Sequence, residues 1–261
     1  MKRHQVNGVV QYRFDGLEEI ENLRHAILTR LGGVSQGPFA TLNLGHTVGD
    51  DAEAVEENHR RALRPLGIHP DRVVSPWQVH GARVEIVDKQ HLGTVRPKTD
   101  ALLTVTAGVP LMMRFGDCTP VVLCDPVRRV VGIAHAGWRG IVAGVVESTV
   151  RTMSEQLGCN PDDVWAGLGP TIGPCCYEVG ADVAREIEEA CPAGSQVIER
   201  VNGRIHADLP SAVEAQLKQA GIRRIERTGL CTSCRVDEFF SHRAEDGHTG
   251  RFGIVIGWQD E

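Results

Sequence analysis

The chain has 261 residues, with 28 Lys and Arg against 34 Asp and Glu, so its formal net charge is −6. That balance supplies no overall positive field for a nucleic acid or an anionic membrane, though a local anion pocket stays open. A composition that is 41% hydrophobic and 24% charged is ordinary for a globular protein and excludes disordered and fibrous classes. The first residues contain no apolar h-region of a secretory signal, and no apolar run approaches the ~20 residues of a membrane-spanning helix. A cytoplasmic, reduced protein is expected, whose eight cysteines serve as packing residues, metal ligands or nucleophiles rather than disulfides.

In chain order, Asp50-Asp51-Ala52-Glu53 opens a polar helix over about 52–64, with the aspartates as caps and Pro65 and Gly67 as its stop. Short β-type segments follow at Val73–Trp77, Arg83–Val87, Ala101–Thr106, Leu111–Phe115, Val121–Cys124 and Val130–Ala134. The last four are joined without helices, which favours successive antiparallel pairing. After Trp138-Arg139-Gly140, apolar residues from Ile141 to Leu157 recur at steps of three and four, a helix stopped by Gly158. Then come a strand at Val164–Leu168, helices over about 181–190 and 209–220, and strands at Ile225–Thr228 and Gly253–Trp258. Nine strands and four helices without a linker or repeat indicate one α+β domain over residues 1–261.

Reactive side chains gather at the ends of these strands. Gln78-Val79-His80-Gly81, Gly116-Asp117-Cys118 and His135-Ala136-Gly137-Trp138-Arg139-Gly140 are Gly-rich stretches that let backbone approach a ligand. Two imidazoles and one thiolate, His80, Cys118 and His135, make a three-ligand set with a fourth position open, the pattern of a catalytic zinc, which brings a bound water to a pKa near ~7. Their spacing matches no local metal motif, so ordinary strand-end histidines and a buried structural thiol are the competing readings.

Nine strings occur in order: Thr29 to Ser35, Leu42 to Gly45, Gln78 to Gly81, Thr99 to Ala101, Gly116 to Cys118, His135 to Gly140, Gly169 to Pro174, Tyr177 to Gly180 and Phe239 to Arg243. Together they resemble the YfiH family, variously named laccase-domain protein, polyphenol oxidase, peptidoglycan editing factor and purine nucleoside phosphorylase. The resemblance implies an α/β/β/α layered sandwich with mixed, largely antiparallel sheets, and His80, Cys118 and His135 as ligands of zinc, copper being the other candidate. It also implies phosphorolysis of adenosine, inosine and 5′-methylthioadenosine, with deamination of adenosine. The partners are then purine nucleosides and phosphate, not nucleic acid or membrane, for a monomer or homodimer.

Phosphorolysis needs cationic donors. Arg139 at the start of a helix is the first candidate, followed by Arg30, His46 and Arg243; each competes with a solvated or structurally paired charge. Cys231-Thr232-Ser233-Cys234 is a lone CxxC, weak evidence of metal or redox chemistry, and Cys234 departs from the family pattern, while Cys175 and Cys176 read as structural. His59 stands where the family usually has Arg, with Arg60 one step along. Asp117 is expected to orient a ligand or turn. A multicopper oxidase is disfavoured because none of the 11 histidines forms a His-x-His pair. Two alternatives remain: a Cys118/His135 hydrolase or amidase acting on peptidoglycan precursors, and a single-copper, laccase-like polyphenol oxidase.

Overall fold

The computed structural model describes residues 1–260. Its first part contains β1 (Lys2–Val6), β2 (Val9–Arg13), α1 (Asp15–Glu18), β3 (Leu23–Leu28) and α2 (Ala52–Leu63). The middle comprises β4 (Ser75–Pro76), β5 (Val84–Ile86), β6 (Val95–Arg96), β7 (Ala101–Thr104), β8 (Leu111–Phe115), β9 (Thr119–Asp125) and β10 (Val130–Ala136). Then follow α3 (Trp138–Val142), α4 (Val145–Leu157), β11 (Trp165–Leu168), α5 (Ala181–Glu189), β12 (Ile198–Val201), β13 (Arg204–Ala207), α6 (Leu209–Gln219), β14 (Arg224–Arg227) and β15 (Phe252–Trp258). Among the described residues no helix is long and apolar enough to cross a membrane.

Two sheets carry the architecture, one ordered β1-β2-β3-β15-β8 and the other β14-β11-β9-β10-β7-β5. Side-chain alternation along the strands decides what each face packs against. Leu111, Met113 and Phe115 of β8 and Phe252, Ile254 and Ile256 of β15 meet Val122 and Cys124 of β9 and Val131 and Ile133 of β10, forming the core between the sheets. Met112 and Val255, one step out of phase, face Ala62 and Leu63 of α2. On the far side, Val121, Leu123 and Ala134 pack on residues of α3, α4 and α6. The result is four layers, α/β/β/α, as the resemblance implies. Removing each of the Val, Leu, Ile, Phe and Met side chains among them from water is worth roughly 1.5–3 kcal/mol.

Local signals explain most boundaries. Asp51 caps α2 by accepting the Ala54 N–H at 2.9 Å, and Asp208 caps α6 through Ser211 at 2.9 Å, each worth about 1 kcal/mol. The expected helix after Trp138 is two helices, because Gly144 takes φ 79°, a left-handed conformation that restarts the chain in a new direction. Two hairpins, β1–β2 and β12–β13, and the strands β3 and β6 lie outside the nine expected strands. The expected pairing of four successive strands also needs correction. β7, β10 and β9 are adjacent and antiparallel, but β8 pairs with β15 in the other sheet. Gly116-Asp117-Cys118 therefore crosses from one sheet to the other.

Candidate metal centre

His135 lies near the end of β10, where β7 begins beside it, and its backbone N–H donates to the Asp100 carbonyl at 2.8 Å. That register puts the Asp100 carboxylate against the His135 ring, with Nδ1 donating to Oδ1 at 2.9 Å. The same carboxylate accepts the backbone N–H groups of Val79, His80 and Gly81 at 3.1, 2.9 and 2.8 Å. His80 takes φ 60°, a left-handed backbone uncommon for a non-glycine residue, and these bonds hold it there. Gln78 fixes the preceding turn to β8, donating to the Arg114 carbonyl and accepting its N–H at 2.9 and 3.1 Å.

Cys118 reaches the same point from the sheet-to-sheet crossing. One ligand atom each from His80, Cys118 and His135 lies within 4.8 Å of the others, and the two imidazole centroids are 4.7 Å apart. The donor set fits a metal ion. With Nδ1 of His135 engaged by Asp100, its Nε2 lone pair is free to ligate, a carboxylate–histidine relay common at metal sites. Gly137 completes the cradle, because a Cβ there would sit 2.7 Å from Cys118 Sγ and 3.1 Å from His80 Cδ2. His135 is buried, Cys118 half-buried and His80 exposed, so the site opens to solvent on one side.

Electrostatics couple the three groups. Burial alone disfavours the Cys118 thiolate, but the His135 imidazole and hydrogen bonds from both histidines outweigh it and hold the thiol below its ordinary value. Burial also disfavours charged His135, yet Cys118 and Asp100 together raise it. Asp100 itself is held low: burial opposes its ionisation, and His135 with the backbone donors of Val79 and Gly81 overcomes this.

The expected anion donors are placed unequally. Arg139 is exposed at the start of α3, its guanidinium 4.2 Å over the Trp138 ring. Arg243 is exposed, 4.9 Å over Tyr177, and donates to the Glu178 carbonyl. Both arginines, together with Cys118 and Asp117, lie within electrostatic reach of the Tyr177 hydroxyl. Arg30 lies elsewhere in its bonding: it donates to the carbonyls of Ala40 and Val236, pairs with Glu245 at 3.0 Å and covers Phe240. His46 meets Glu56 at 3.3 Å and lies against the His59 ring, the two planes tilted by 34°. His59 is buried and bonds the Leu44 carbonyl at 3.0 Å, whereas Arg60 pairs with Glu57 on the surface.

Asp117 organises the crossing. Its φ is 90°, and its carboxylate accepts the Thr232 hydroxyl and the Arg243 N–H, both at 2.6 Å. Three contributors carry no signal of their own in the sequence. Asp100 stood only inside a family string. Arg114 lies beneath Leu44, donating to its carbonyl at 2.7 Å, and Arg251 packs on Gly116 within reach of Cys118. Both are arginines without a carboxylate partner within 4.0 Å among the described residues, and burial lowers both. The CxxC turn also proves not to be alone, since Cys231 and Cys234 stand with Cys175 and Cys176.

The family described as multi-copper polyphenol oxidoreductase laccase matches residues 24–259. Purine nucleoside phosphorylase YlmD of Geobacillus stearothermophilus is 39% identical over 246 residues, covering 90% of each chain. A purine nucleoside phosphorylase of Deinococcus radiodurans is 42% identical over 233 residues, 89% of this chain and 88% of its own. Among solved structures, YlmD of Geobacillus stearothermophilus superposes with a TM-score of 0.93 at 35% identity, covering 98% of both chains. YfiH of Bacillus licheniformis gives 0.91 at 33%, with 97% of both covered. With near-complete coverage, the same four layers and a shared fold at such identity, the chain belongs to the YfiH family.

Proposed function

We propose that this protein is a zinc-dependent purine nucleoside phosphorylase that cleaves adenosine, inosine and 5′-methylthioadenosine with phosphate and also deaminates adenosine. The observation that carries this is the convergence of His80, Cys118 and His135 on one half-open point, in a chain about two-fifths identical to relatives named purine nucleoside phosphorylase. A zinc ion held there supplies a Lewis acid of fixed position. The protein's own residues do the rest. Asp100 keeps His135 in the tautomer that ligates and pins the His80 turn.

Arg139 and Arg243 bring two exposed positive charges to the same rim, as a bound phosphate requires. In phosphorolysis a phosphate oxygen bonds to the ribose anomeric carbon, the bond from that carbon to the purine nitrogen breaks, and the purine leaves with a proton. Deamination consumes water instead and releases ammonia. Trp77 stands three residues before His80 on the same loop and is 62% exposed, offering a flat apolar surface to a purine ring.

The family description names a laccase, but the single His-Cys-His set here lacks the many histidines a multicopper cluster uses. A second reading, a Cys118/His135 hydrolase or amidase, is favoured by the lowered Cys118 and raised His135, the balance of a thiolate–imidazolium pair. Incubating metal-analysed protein with adenosine, with and without phosphate, separates the readings. Adenine and ribose 1-phosphate are expected only with phosphate, and inosine in either case. A purified protein that takes up no zinc, turns over no nucleoside when zinc is supplied, and hydrolyses a peptide amide until iodoacetamide blocks Cys118 would overturn the phosphorylase in favour of the hydrolase.

A further inference from the structure

A second group of metal-type donors lies outside the site described above. Cys175, Cys176, Cys231 and Cys234 come from two loops far apart in sequence, yet their four sulfurs lie within 4.8 Å of one another. Cys234 Sγ is 3.6 Å from Cys175 Sγ and 3.4 Å from Cys176 Sγ. A tetrahedron of zinc–sulfur bonds of about 2.3 Å has edges of about 3.8 Å, so the spacing suits a shared ion. It does not suit disulfides, whose sulfurs approach to about 2.0 Å and join in pairs; here one sulfur stands nearly equidistant from two others.

Backbone donors converge on the same sulfurs. The Gly173 N–H donates to Cys231 Sγ at 3.2 Å, and the Cys234 N–H points to it from within the CxxC turn. Such N–H···S bonds stabilise a thiolate whose proton has been released to solvent on binding a metal. The loops themselves are held in place: Thr171 bridges to Cys231, the Thr232 N–H donates to the Thr171 carbonyl at 3.0 Å, and the Thr232 hydroxyl donates to Asp117 at 2.6 Å. Asp117 immediately precedes Cys118.

We propose that Cys175, Cys176, Cys231 and Cys234 form a closed four-sulfur site for a structural zinc ion that clamps the 171–177 segment to the 231–234 turn behind the loop bearing Cys118. Four thiolates leave no open position for substrate, which marks this site as structural. Neither the activity proposed above nor the metal at the first site is needed for it.

Full-length Cys118→Ala protein, which removes a donor from the first site only, isolates the second. Purified under reducing conditions, it is expected to retain one zinc per chain, and replacing that zinc with cobalt should give the strong thiolate-to-metal absorption of a four-sulfur tetrahedral site. Adding Cys231→Ser and Cys234→Ser should abolish both signals. A Cys118→Ala protein without zinc, unable to take up cobalt and with four reactive thiols or an S–S bond by mass, would overturn the proposal. Should that variant fail to fold, wild-type zinc content decides: two equivalents falling to one in the Cys231→Ser/Cys234→Ser protein supports the site, and no fall between the two proteins refutes it. Absence of nucleoside turnover in wild-type protein that carries both ions would instead count against the phosphorylase alone.

Discussion

Asp100 touches both imidazole-bearing elements of the candidate metal centre through one oxygen: Oδ1 accepts the His80 backbone N–H and the His135 Nδ1–H, each at 2.9 Å. One carboxylate thus sets the position of one ligand and the tautomer of the other. Asp100→Asn keeps the volume and an acceptor for His135 but turns one oxygen into a donor facing the Val79 and Gly81 N–H groups. Zinc affinity at the centre is expected to fall roughly 10- to 100-fold, the usual cost of losing such a supporting carboxylate. Competition with a chromophoric chelator measures it, and unchanged affinity would remove Asp100 from the support of the site.

Gly137 tests the cradle by sterics alone. Its backbone is extended, φ −73° and ψ 167°, a conformation alanine adopts freely. The added methyl would meet only Cys118 and His80 closely. Gly137→Ala should therefore fold with metal-free stability within about 1 kcal/mol of the parent, while its zinc content and nucleoside turnover drop together. Normal turnover would mean that the three donors do not work as one unit.

Arg139→Ala and Arg243→Ala should separate the two proposed reactions. Losing one charge-assisted contact of about 1.5–3 kcal/mol predicts a rise of roughly 10- to 100-fold in the KM for phosphate. Deamination uses no phosphate and should be nearly untouched, with zinc retained. Steady-state kinetics of both reactions on each variant provides the check; equal losses in the two would point to damage of the centre instead. Arg30→Ala, by contrast, removes ties to Ala40, Val236 and Glu245 and should act on stability.

Acid sensitivity should come from two buried histidines outside the His80, Cys118 and His135 set, His25 and His59. Burial, with Arg114 nearby, brings His59 down to about 3, and burial, with Arg13 nearby, brings His25 down to about 4. Both stay neutral in the folded protein while the unfolded chain takes up a proton near pH 6.5. Their contribution is complete above that value and is lost as the pH falls towards 4 for His25 and 3 for His59, at most about 3 kcal/mol for the first and about 5 kcal/mol for the second on the linkage relation. Urea unfolding between pH 8 and pH 5 should show stability falling with pH, and His25→Gln should flatten the slope. A slope unaffected by that change would place the acid sensitivity elsewhere.

The nine strings and the helix periodicity made the family and the main elements readable from the sequence, with the three proposed ligands. What escaped has physical causes. β1 reads Lys-Arg-His-Gln-Val because it is an exposed sheet edge, and β3 lacks alternation because both its faces are covered. A usable signal was nonetheless present: Asn7-Gly8 and Asn202-Gly203 both have positive φ at both residues, the hairpin turn that Asn-Gly favours. Nothing in Leu111–Phe115 distinguishes one sheet from another, so proximity in sequence points β8 to the wrong neighbour. Asp100, Arg114 and Arg251 acquire their roles from partners on other strands, and the two cysteine pairs become one group only when the chain folds.

The passage of Gly116-Asp117-Cys118 between sheets carries a consequence for how the protein assembles. His135 belongs to the six-stranded sheet and Cys118 to the bridge out of it, while Asp117 is bound by residues more than a hundred positions downstream, Thr232 and Arg243. The donor set is therefore completed only after distant parts of the chain have docked, a slow step in a topology dominated by long-range pairing. In newly made chains the centre should stay empty until late in maturation, so metal loading will track completed folding rather than synthesis.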